Sequence, residues 1–367
     1  MKVGDRHYRS IWADSPPGTV SIIDQSRLPH VFETRSIASL EEMAEAIRAM
    51  RVRGAPLIGV AAAYGVAIAV LKDPRDGGLK RAVETLRKTR PTAVNLAWAL
   101  EHMQSLLAPL PPSQRGGTAW SEAQLLADED VALNEAIGGH GLEIIEREHA
   151  AKKRPVNILT HCNAGWIATV DWGTVTAPIF MAHDRGIPVH VWVDETRPRN
   201  QGLLTAWELA SHGVPYTLVV DNVGGHLMQR GQVDLVLVGA DRVTRRGDVC
   251  NKIGTYLKAL AARDNDIPFY ACVPTPTIDW AIESGLGIPI EERNAGEVRR
   301  VRGLDAAGQF AEVEIAPPST PVANPAFDVT PAALVTGIIT EKGLVRADEA
   351  ELLGLWPRSR GNKAYVT

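Results

Sequence analysis

An excess of charge of either sign is the first thing this chain lacks. Its 39 lysines and arginines face 43 aspartates and glutamates, a formal charge of −4 over 367 residues. No basic footprint for nucleic acid is present, and no nucleic-acid partner is expected. Cysteine is scarce: Cys162, Cys250 and Cys272 are too few and too scattered for a disulfide framework or a zinc site, and they suit a reducing compartment. The amino terminus, Met1-Lys-Val-Gly-Asp-Arg-His-Tyr8, carries no apolar signal core. The longest apolar run, Leu57 to Leu71, is rich in Ala and Gly and shorter than the ~20 residues of a membrane span. It reads as a buried helix, so no membrane partner is expected and the location is read as cytoplasmic. No G-x-G-x-x-G follows any predicted strand, and Asn222-Val-Gly-Gly-His226 reads as a loop without that spacing, so no dinucleotide cofactor is indicated. Internal repeats and low-complexity tracts are missing too.

What remains is a globular composition, 45% hydrophobic and 22% charged, at a length that allows two domains. After an extended start at Val20-Ser-Ile-Ile-Asp24 the amino-terminal part reads mostly as helix. Ser39-Leu-Glu-Glu42 is a capping box opening a helix to about Met50. Pro56 suits a first helical position and launches the Leu57–Leu71 helix. Pro109 to Gly117 reads as a surface loop that breaks the helical region. From Val156 onward short apolar strands alternate with helices. The expected strands are Asn157–Thr160, Val189–Val193, Tyr216–Val220, Leu235–Val238 and Phe269–Val273; the expected helices include Thr205–Ser211, Asn251–Arg263 and Ile278–Ser284. Continuous apolar strands fit a parallel sheet covered on both faces. The expected fold class is α/β: a Rossmann-like doubly wound parallel sheet domain preceded by a smaller, mainly helical N-terminal domain. The boundaries read as 1–127 for the helical domain with short initial strands, 128–150 for a connecting helix, and 151–367 for the α/β domain.

In open α/β sheets, ligands bind beyond the carboxyl ends of the strands. Asn157-Ile-Leu-Thr-His-Cys-Asn163 brings the thiol of Cys162 to such an end, with Asn163, Ala164 and Gly165 opening what reads as a helix. Leu235-Val-Leu-Val-Gly-Ala-Asp241 delivers a carboxylate by the same pattern, and the two form a candidate acid/base pair. Arg51-Val-Arg-Gly-Ala-Pro56 sets the Arg53 guanidinium beside the free N–H groups of Gly54 and Ala55 at a helix start, an arrangement that binds anions. Taken alone, the plainer reading has the advantage there: an arginine at a helix C-terminus followed by a tight turn. Arg90-Pro-Thr-Ala-Val-Asn-Leu96 repeats the theme, against a solvated surface charge. Asp194-Glu-Thr-Arg-Pro-Arg-Asn-Gln-Gly202 is too polar for a mere connector; Gln201 suits a phosphate or a sugar hydroxyl, and Arg197 and Arg199 suit structural ion pairs. Asp241 with Arg242, taken alone, suits a salt bridge. Asn251-Lys252 reads as opening a helix, placing a cation and an amide at its positive end. Cys250 and Cys272 read as small hydrophobes, His161 as a hydrogen-bonded structural residue, and the nine tryptophans as packing.

Taken together these segments resemble the methylthioribose-1-phosphate isomerase family, whose fold is shared with the regulatory subunits of the exchange factor for eukaryotic translation initiation. The matching runs are Arg53-Gly-Ala-Pro-Leu-Ile-Gly59, Thr160-His-Cys-Asn-Ala-Gly165, Glu195-Thr-Arg-Pro-Arg-Asn-Gln-Gly202, Gly239-Ala-Asp-Arg242, Asn251-Lys-Ile-Gly-Thr-Tyr256, Ile288-Pro-Ile-Glu-Glu-Arg293 and Asn324-Pro-Ala-Phe-Asp-Val-Thr-Pro331. The resemblance implies an aldose–ketose isomerase of methionine salvage, acting on a five-carbon sugar 1-phosphate without metal or organic cofactor. It implies Cys162 and Asp241 as the catalytic pair, Arg53, Gly54, Ala55, Arg90, Gln201, Asn251 and Lys252 as substrate-binding residues, and a homodimer formed through the α/β domain. Asp241 is expected to donate a proton to the ring oxygen. Cys162 is expected to act at C2, through an enolate or alongside a hydride shift. One departure stands out: where the family runs through small residues, this chain has Trp166-Ile-Ala-Thr-Val-Asp-Trp172. The indoles either repack the segment or reshape the pocket at C5. That leaves 5-methylthioribose 1-phosphate and 5-deoxyribose 1-phosphate as substrates, ahead of ribose 1,5-bisphosphate, whose second phosphate demands further basic donors. A non-catalytic regulatory protein on the same fold is the alternative of another class. The segment Val298–Pro321 and the basic tail Arg358–Lys363 have no functional reading.

Overall fold

Ser39 fulfils the role its spacing to Glu42 predicts. Its Oγ accepts from the Glu42 amide at 3.2 Å, while Glu42 Oε2 accepts from the Ala38 amide at 2.7 Å. In the computed structural model, which describes residues 1–91 and 93–355, this cap opens helix α1 (Leu40–Arg48). Such a cap contributes about 1 kcal/mol. The chain forms two compact units: Met1–Glu135 with Ala164–Ala177, and Ala136–Asn163 with the chain from Pro178 onward.

The first unit begins with a short hairpin, β1 (Lys2–Val3) and β2 (Arg6–His7), and a three-stranded antiparallel sheet of β3 (Ile11–Ala13), β4 (Val20–Ile23) and β5 (Thr34–Ile37). After α1 come α2 (Ala55–Lys72), α3 (Asp76–Arg87) and α4 (Val94–Leu107). Helix α2 is the centre of this core. It carries no polar face, and its buried residues run from Leu57 to Val70 almost without interruption. At 18 residues it is long and apolar enough to cross a membrane, the one such helix among the described residues, yet the core cluster of this unit covers most of it. Each fully buried Leu or Ile there contributes roughly 1.5–3 kcal/mol.

The loop expected at Pro109–Gly117 is instead mostly helix: α5 runs unbroken from Pro112 to Lys152. Pro112 is its first residue, where a missing N–H breaks no helical bond. The buried Arg115 fastens this start by donating to the carbonyls of Leu107, Ala108 and Leu110, each at 3.0 Å. Ala164 and Gly165 do not open an α-helix either. A single 3₁₀ turn, Trp166–Ala168, is followed by extended and bent backbone up to α6 (Thr176–Asp184). The backbone of this segment is already taken by side chains of the first unit: Ser10 Oγ donates to the Trp166 carbonyl (2.8 Å), Gln25 Nε2 to the Ile167 carbonyl (2.6 Å), and Asp130 accepts from the Val170 amide (2.6 Å). Trp166 is fully buried and serves packing, while Trp172 is half-buried.

In the second unit β6 (Val156–Thr160), β7 (Val189–Asp194), α7 (Gly202–His212), β8 (Tyr216–Val219), α8 (Val223–Gln229) and β9 (Leu235–Val238) follow in order. Then come β10 (Arg242–Thr244), β11 (Val249–Lys252), α9 (Thr255–Asp264), β12 (Phe269–Cys272) and β13 (Ile278–Asp279). The described chain closes with α10 (Gly296–Arg299), β14 (Arg300–Leu304), β15 (Phe310–Glu314), β16 (Phe327–Thr330), β17 (Gly337–Thr340), β18 (Gly343–Val345) and α11 (Glu349–Leu355). The main sheet has the order β18-β17-β12-β9-β6-β7-β8 and is parallel except at β18. The chain starts at β6, moves outward through β7 and β8, then returns to the other side of β6 with β9. The strand order therefore reverses between β6 and β9, a topological switch point of the kind where open α/β sheets bind ligands.

Three local expectations fail in this unit. Asn251 and Lys252 end a strand rather than open a helix, because β16, from about 75 residues downstream, pairs with them (Asn251 with Asp328, Lys252 with Phe327); the helix begins only at Thr255. Ile278–Ser284 is not helical, since Ile278 and Asp279 pair with Val243 and Thr244 of β10. Asn222–His226, read as a loop, is the N-cap and first residues of α8. The segment Val298–Pro321 contains the β14–β15 hairpin. The tail Arg358–Lys363 lies outside the described residues.

Candidate active site

Cys162 stands two residues beyond β6, half-buried, with φ +70°. That left-handed conformation is unusual for a residue with a Cβ and costs of order 1–2 kcal/mol. Two threonine hydroxyls hold it. Thr196 Oγ1 accepts from the Cys162 amide at 2.8 Å, and Thr205 Oγ1 donates to the Cys162 carbonyl at 2.8 Å. The neighbours on both sides are buried and bonded. Asn163 Nδ2 donates to Glu208 (2.7 Å) and Thr205 (3.1 Å). His161 Nδ1 lies 2.9 Å from Asp194 Oδ2 and Nε2 lies 2.8 Å from the Ile253 carbonyl, which bears out its reading as a hydrogen-bonded structural residue.

Asp194 closes β7 and is fully buried. His161, Asp194 and Asp221 turn ligand-type atoms to within 4.8 Å of one another, a grouping of metal-ligand type. A cation of the chain itself stands among them: Lys258 Nζ lies 3.1 Å from Asp194 and donates to the Asp221 carbonyl at 2.5 Å. Asp221 in turn accepts from the Thr196 and Arg197 amides at 2.7 and 2.8 Å. Gly202 begins α7 directly against this strand end, where a Cβ would fall 1.7 Å from the Asp194 carbonyl oxygen.

Asp241 leaves the end of β9, the strand paired with β6. Its amide donates to the Cys250 carbonyl at 2.9 Å, and its side chain is exposed. Arg242 pairs with Asp279 at 3.0 Å. Lys252 is buried, donates to the Ala326 carbonyl at 2.8 Å and lies over the Phe327 ring at 4.6 Å. Burial holds its ammonium below the ordinary lysine range, while charge on Cys162 and on Asp241 pulls the other way, so all three groups share one electrostatic environment. Asn251 Nδ2 donates to Thr255 Oγ1 at 3.0 Å. Gln201, at the start of α7, is buried, and its Oε1 has no protein partner. Burial pushes the thiols of Cys250 and Cys272 up to about 12, which keeps both inert. The positive end of α9, expected from Asn251-Lys252 to receive an anion, is capped by the chain: the Asp328 carboxylate accepts from the Gly254 amide at 2.7 Å and the Tyr256 amide at 3.1 Å.

The remaining predicted residues belong to the first unit. Gly54 is the N-cap of α2 with φ +100°, and a Cβ there would fall 2.2 Å from the Ala168 carbonyl oxygen, so both backbone and space demand glycine. Ala55 opens the helix beside it, and Arg53 and Arg90 are half-buried. Gly59 of α2 abuts Asn95 of α4, so the two helices begin side by side, with Arg53–Ala55 and Arg90 at their starts. The Arg199–Glu297 pair at 2.9 Å fits the ion pair expected of Arg199, whereas Arg197 donates to the carbonyls of Pro198 and Val298. Thr196, Thr205, Glu208, Asp194 and Lys258 were missed by sequence reasoning. The polar density of the 194–202 loop marked the region of Thr196 without singling it out.

Residues 51–347 match the Initiation factor 2 subunit family. The chain is 60% identical to the methylthioribose-1-phosphate isomerase of Brucella anthropi, covering 97% of this chain and 99% of that one. It is 61% identical to that of Rhodospirillum rubrum, covering 97% and 94%. Among solved structures, the 5-methylthioribose 1-phosphate isomerase of Pyrococcus horikoshii OT3 superposes with a TM-score of 0.85 at 41% identity, covering 96% of this chain and 97% of the other. The translation initiation factor eIF-2B subunit delta from A. fulgidus superposes with a TM-score of 0.80 at 38% identity, covering 95% and 100%. A switch point with a thiol and a carboxylate beyond its strand ends, near-complete coverage and this level of identity agree: the chain belongs to the methylthioribose-1-phosphate isomerases, within the Initiation factor 2 subunit family.

Proposed function

We propose that the protein converts 5-methylthioribose 1-phosphate to 5-methylthioribulose 1-phosphate, with Asp241 and Cys162 as the catalytic pair. The observation that carries this reading is the exit of both residues from adjacent parallel strands at the switch point of the sheet. The phosphate blocks the anomeric oxygen of the substrate, so the ring cannot open to a free aldehyde. Opening requires a proton at the ring oxygen, which is the role of Asp241. Cys162 acts at C2. It removes the C2 proton to give an enol, which is reprotonated at C1 while the 2-hydroxyl proton returns to the enzyme, or it takes the 2-hydroxyl proton as hydride passes from C2 to C1. Deuterium from solvent at C1 supports the first route and argues against the second. The exposed Asp241 side chain gives the acid role a condition: bound substrate must exclude water from it.

Arg53, the Gly54 and Ala55 amides and Arg90 are suited to phosphate by charge and by the α2 helix start. The buried Gln201 Oε1 is an acceptor in need of a donor, which a sugar hydroxyl supplies. Asn251 and Lys252 bind as well, from a strand end rather than a helix start. The reaction so written needs no metal or organic cofactor. A homodimer is part of the proposal. The outer strand β8 exposes Tyr216 and Leu218, with Val220 beside them, and α9 exposes Leu257 and Leu260, apolar surface that a second copy would cover. A non-catalytic regulatory role is the second reading, favoured by the likeness to the A. fulgidus subunit.

Phosphorus and proton NMR of wild type and Cys162→Ser, with 5-methylthioribose 1-phosphate in a chelator, tests the proposal. A ketose 1-phosphate signal from wild type and none from the variant is expected. Silence from wild type on both this substrate and 5-deoxyribose 1-phosphate would favour the regulatory role.

A further inference from the structure

His161 adjoins Cys162, and its side chain is engaged at both ends. Nδ1 meets the buried Asp194, itself held by Lys258 at 3.1 Å, and Nε2 meets the carbonyl of Ile253, the residue after Lys252. The ring is 1% exposed. Gly254 packs against it, since a Cβ there would come within 3.1 Å of Cε1 and Nε2. The imidazole therefore spans from the turn after β6 to the turn after β11, the two places that present Cys162 and Lys252.

We propose that His161 is a positioning residue that keeps the Cys162 turn and the Asn251–Lys252 strand end in register with each other. It acts through its Nε2 bond to Ile253, and does not touch substrate. The catalytic part of this inference rests on the isomerase reading; the alignment itself does not. The charges of Cys162 and Lys252 act on each other, and a cation brought near a thiol raises its thiolate fraction, so loss of register is expected to lower the reactivity of Cys162 as well as turnover.

Asparagine and glutamine separate the two bonds of the ring. Asparagine places its amide nitrogen near the Nδ1 position and leaves Ile253 without a donor; glutamine places it near Nε2 and keeps that bond. The experiment measures kcat and KM with 5-methylthioribose 1-phosphate, and the rate of iodoacetamide alkylation of the Cys162 peptide by mass spectrometry, for wild type, His161→Asn and His161→Gln. In His161→Asn, kcat is expected to fall about tenfold or more while KM stays within about threefold, because small misplacements cost rate more than binding. Alkylation is expected to slow by about threefold or more, and His161→Gln is expected to recover most of both. Equal behaviour of the two variants overturns the proposal. So does a His161→Asn protein that fails to fold beside a fully active His161→Gln, which would reduce the ring to a fold support. If wild type turns over no substrate, the isomerase reading falls, and the alkylation rates alone decide the register claim.

Discussion

The ends of β6 and β9 lie side by side in one sheet and are built in opposite ways. At β6, Cys162 is held in a left-handed conformation by hydroxyls at its amide and its carbonyl, between two buried, bonded neighbours. At β9, Gly239 and Ala240 lead to an Asp241 anchored through its backbone to Cys250, on a residue that is exposed. The difference fits the roles proposed for the two groups. A thiol that handles a proton at one carbon must be aimed, and hydrogen bonds of about 1 kcal/mol each can offset the cost of a strained backbone. A carboxyl that must be protonated near neutral pH depends less on aim than on dryness, and dryness arrives with the ligand. On the proposed mechanism, one end is made ready by folding and the other by binding.

The widest break in this contrast comes from Asp241→Asn. The side chain is exposed, so the fold should be untouched, while loss of the acid lowers kcat by about 10²–10⁴; steady-state kinetics with a thermal melt checks both. Turnover at the wild-type rate would remove Asp241 from the mechanism. A narrower break is Thr196→Val, which keeps the shape but strips the Cys162 amide of its acceptor. We expect a loss of about 1–3 kcal/mol in stability by denaturant titration and about a tenfold fall in kcat. A stability loss with normal kcat would mean that the strained turn serves folding alone.

Asp130→Asn sharpens the contrast by asking whether the hold on Cys162 is local to the second unit. Burial, with the Asp171 charge acting the same way, raises the Asp130 carboxyl to about 7 from an ordinary 3.8. A carboxyl raised on folding stabilises most below its unfolded value, and that contribution disappears as pH rises through its folded one. Wild-type stability should therefore fall between pH 4 and 8, by at most roughly 4 kcal/mol, and the variant should follow a flatter curve. Cys162 alkylation should not change; if it does, the aim of the thiol depends on the first unit as well.

The strands of the main sheet were legible because burial on both faces leaves nothing but apolar residues, as in Leu235-Val-Leu-Val238. With them came the sites of Cys162 and Asp241, since the residue after a buried strand is placed by that strand. The Asn251-Lys252 strand end was not legible. Two polar residues before Gly254 resemble a helix start, and only pairing with distant Asp328 and Phe327 makes them strand. The α9 start was misread for the same reason, its anion being Asp328 of the same chain. Pro112 and the Gly116-Gly117 pair mimic a loop unless the carbonyls that Arg115 gathers are known. The threonine clamp and the His161 bridge join residues 33 to 92 positions apart, and no local pattern announces such pairs.

Helix α2 is hidden by the first unit rather than by any polar face of its own. When that unit opens, the chain presents an 18-residue stretch with the length and composition of a bilayer-spanning segment. Such a stretch is poorly solvated by water and seeks lipid, a chaperone or another opened copy. Damage to the first unit will therefore register as sedimenting or membrane-adherent protein, and its durability is better measured as the rate of loss from the supernatant than as a reversible melting point.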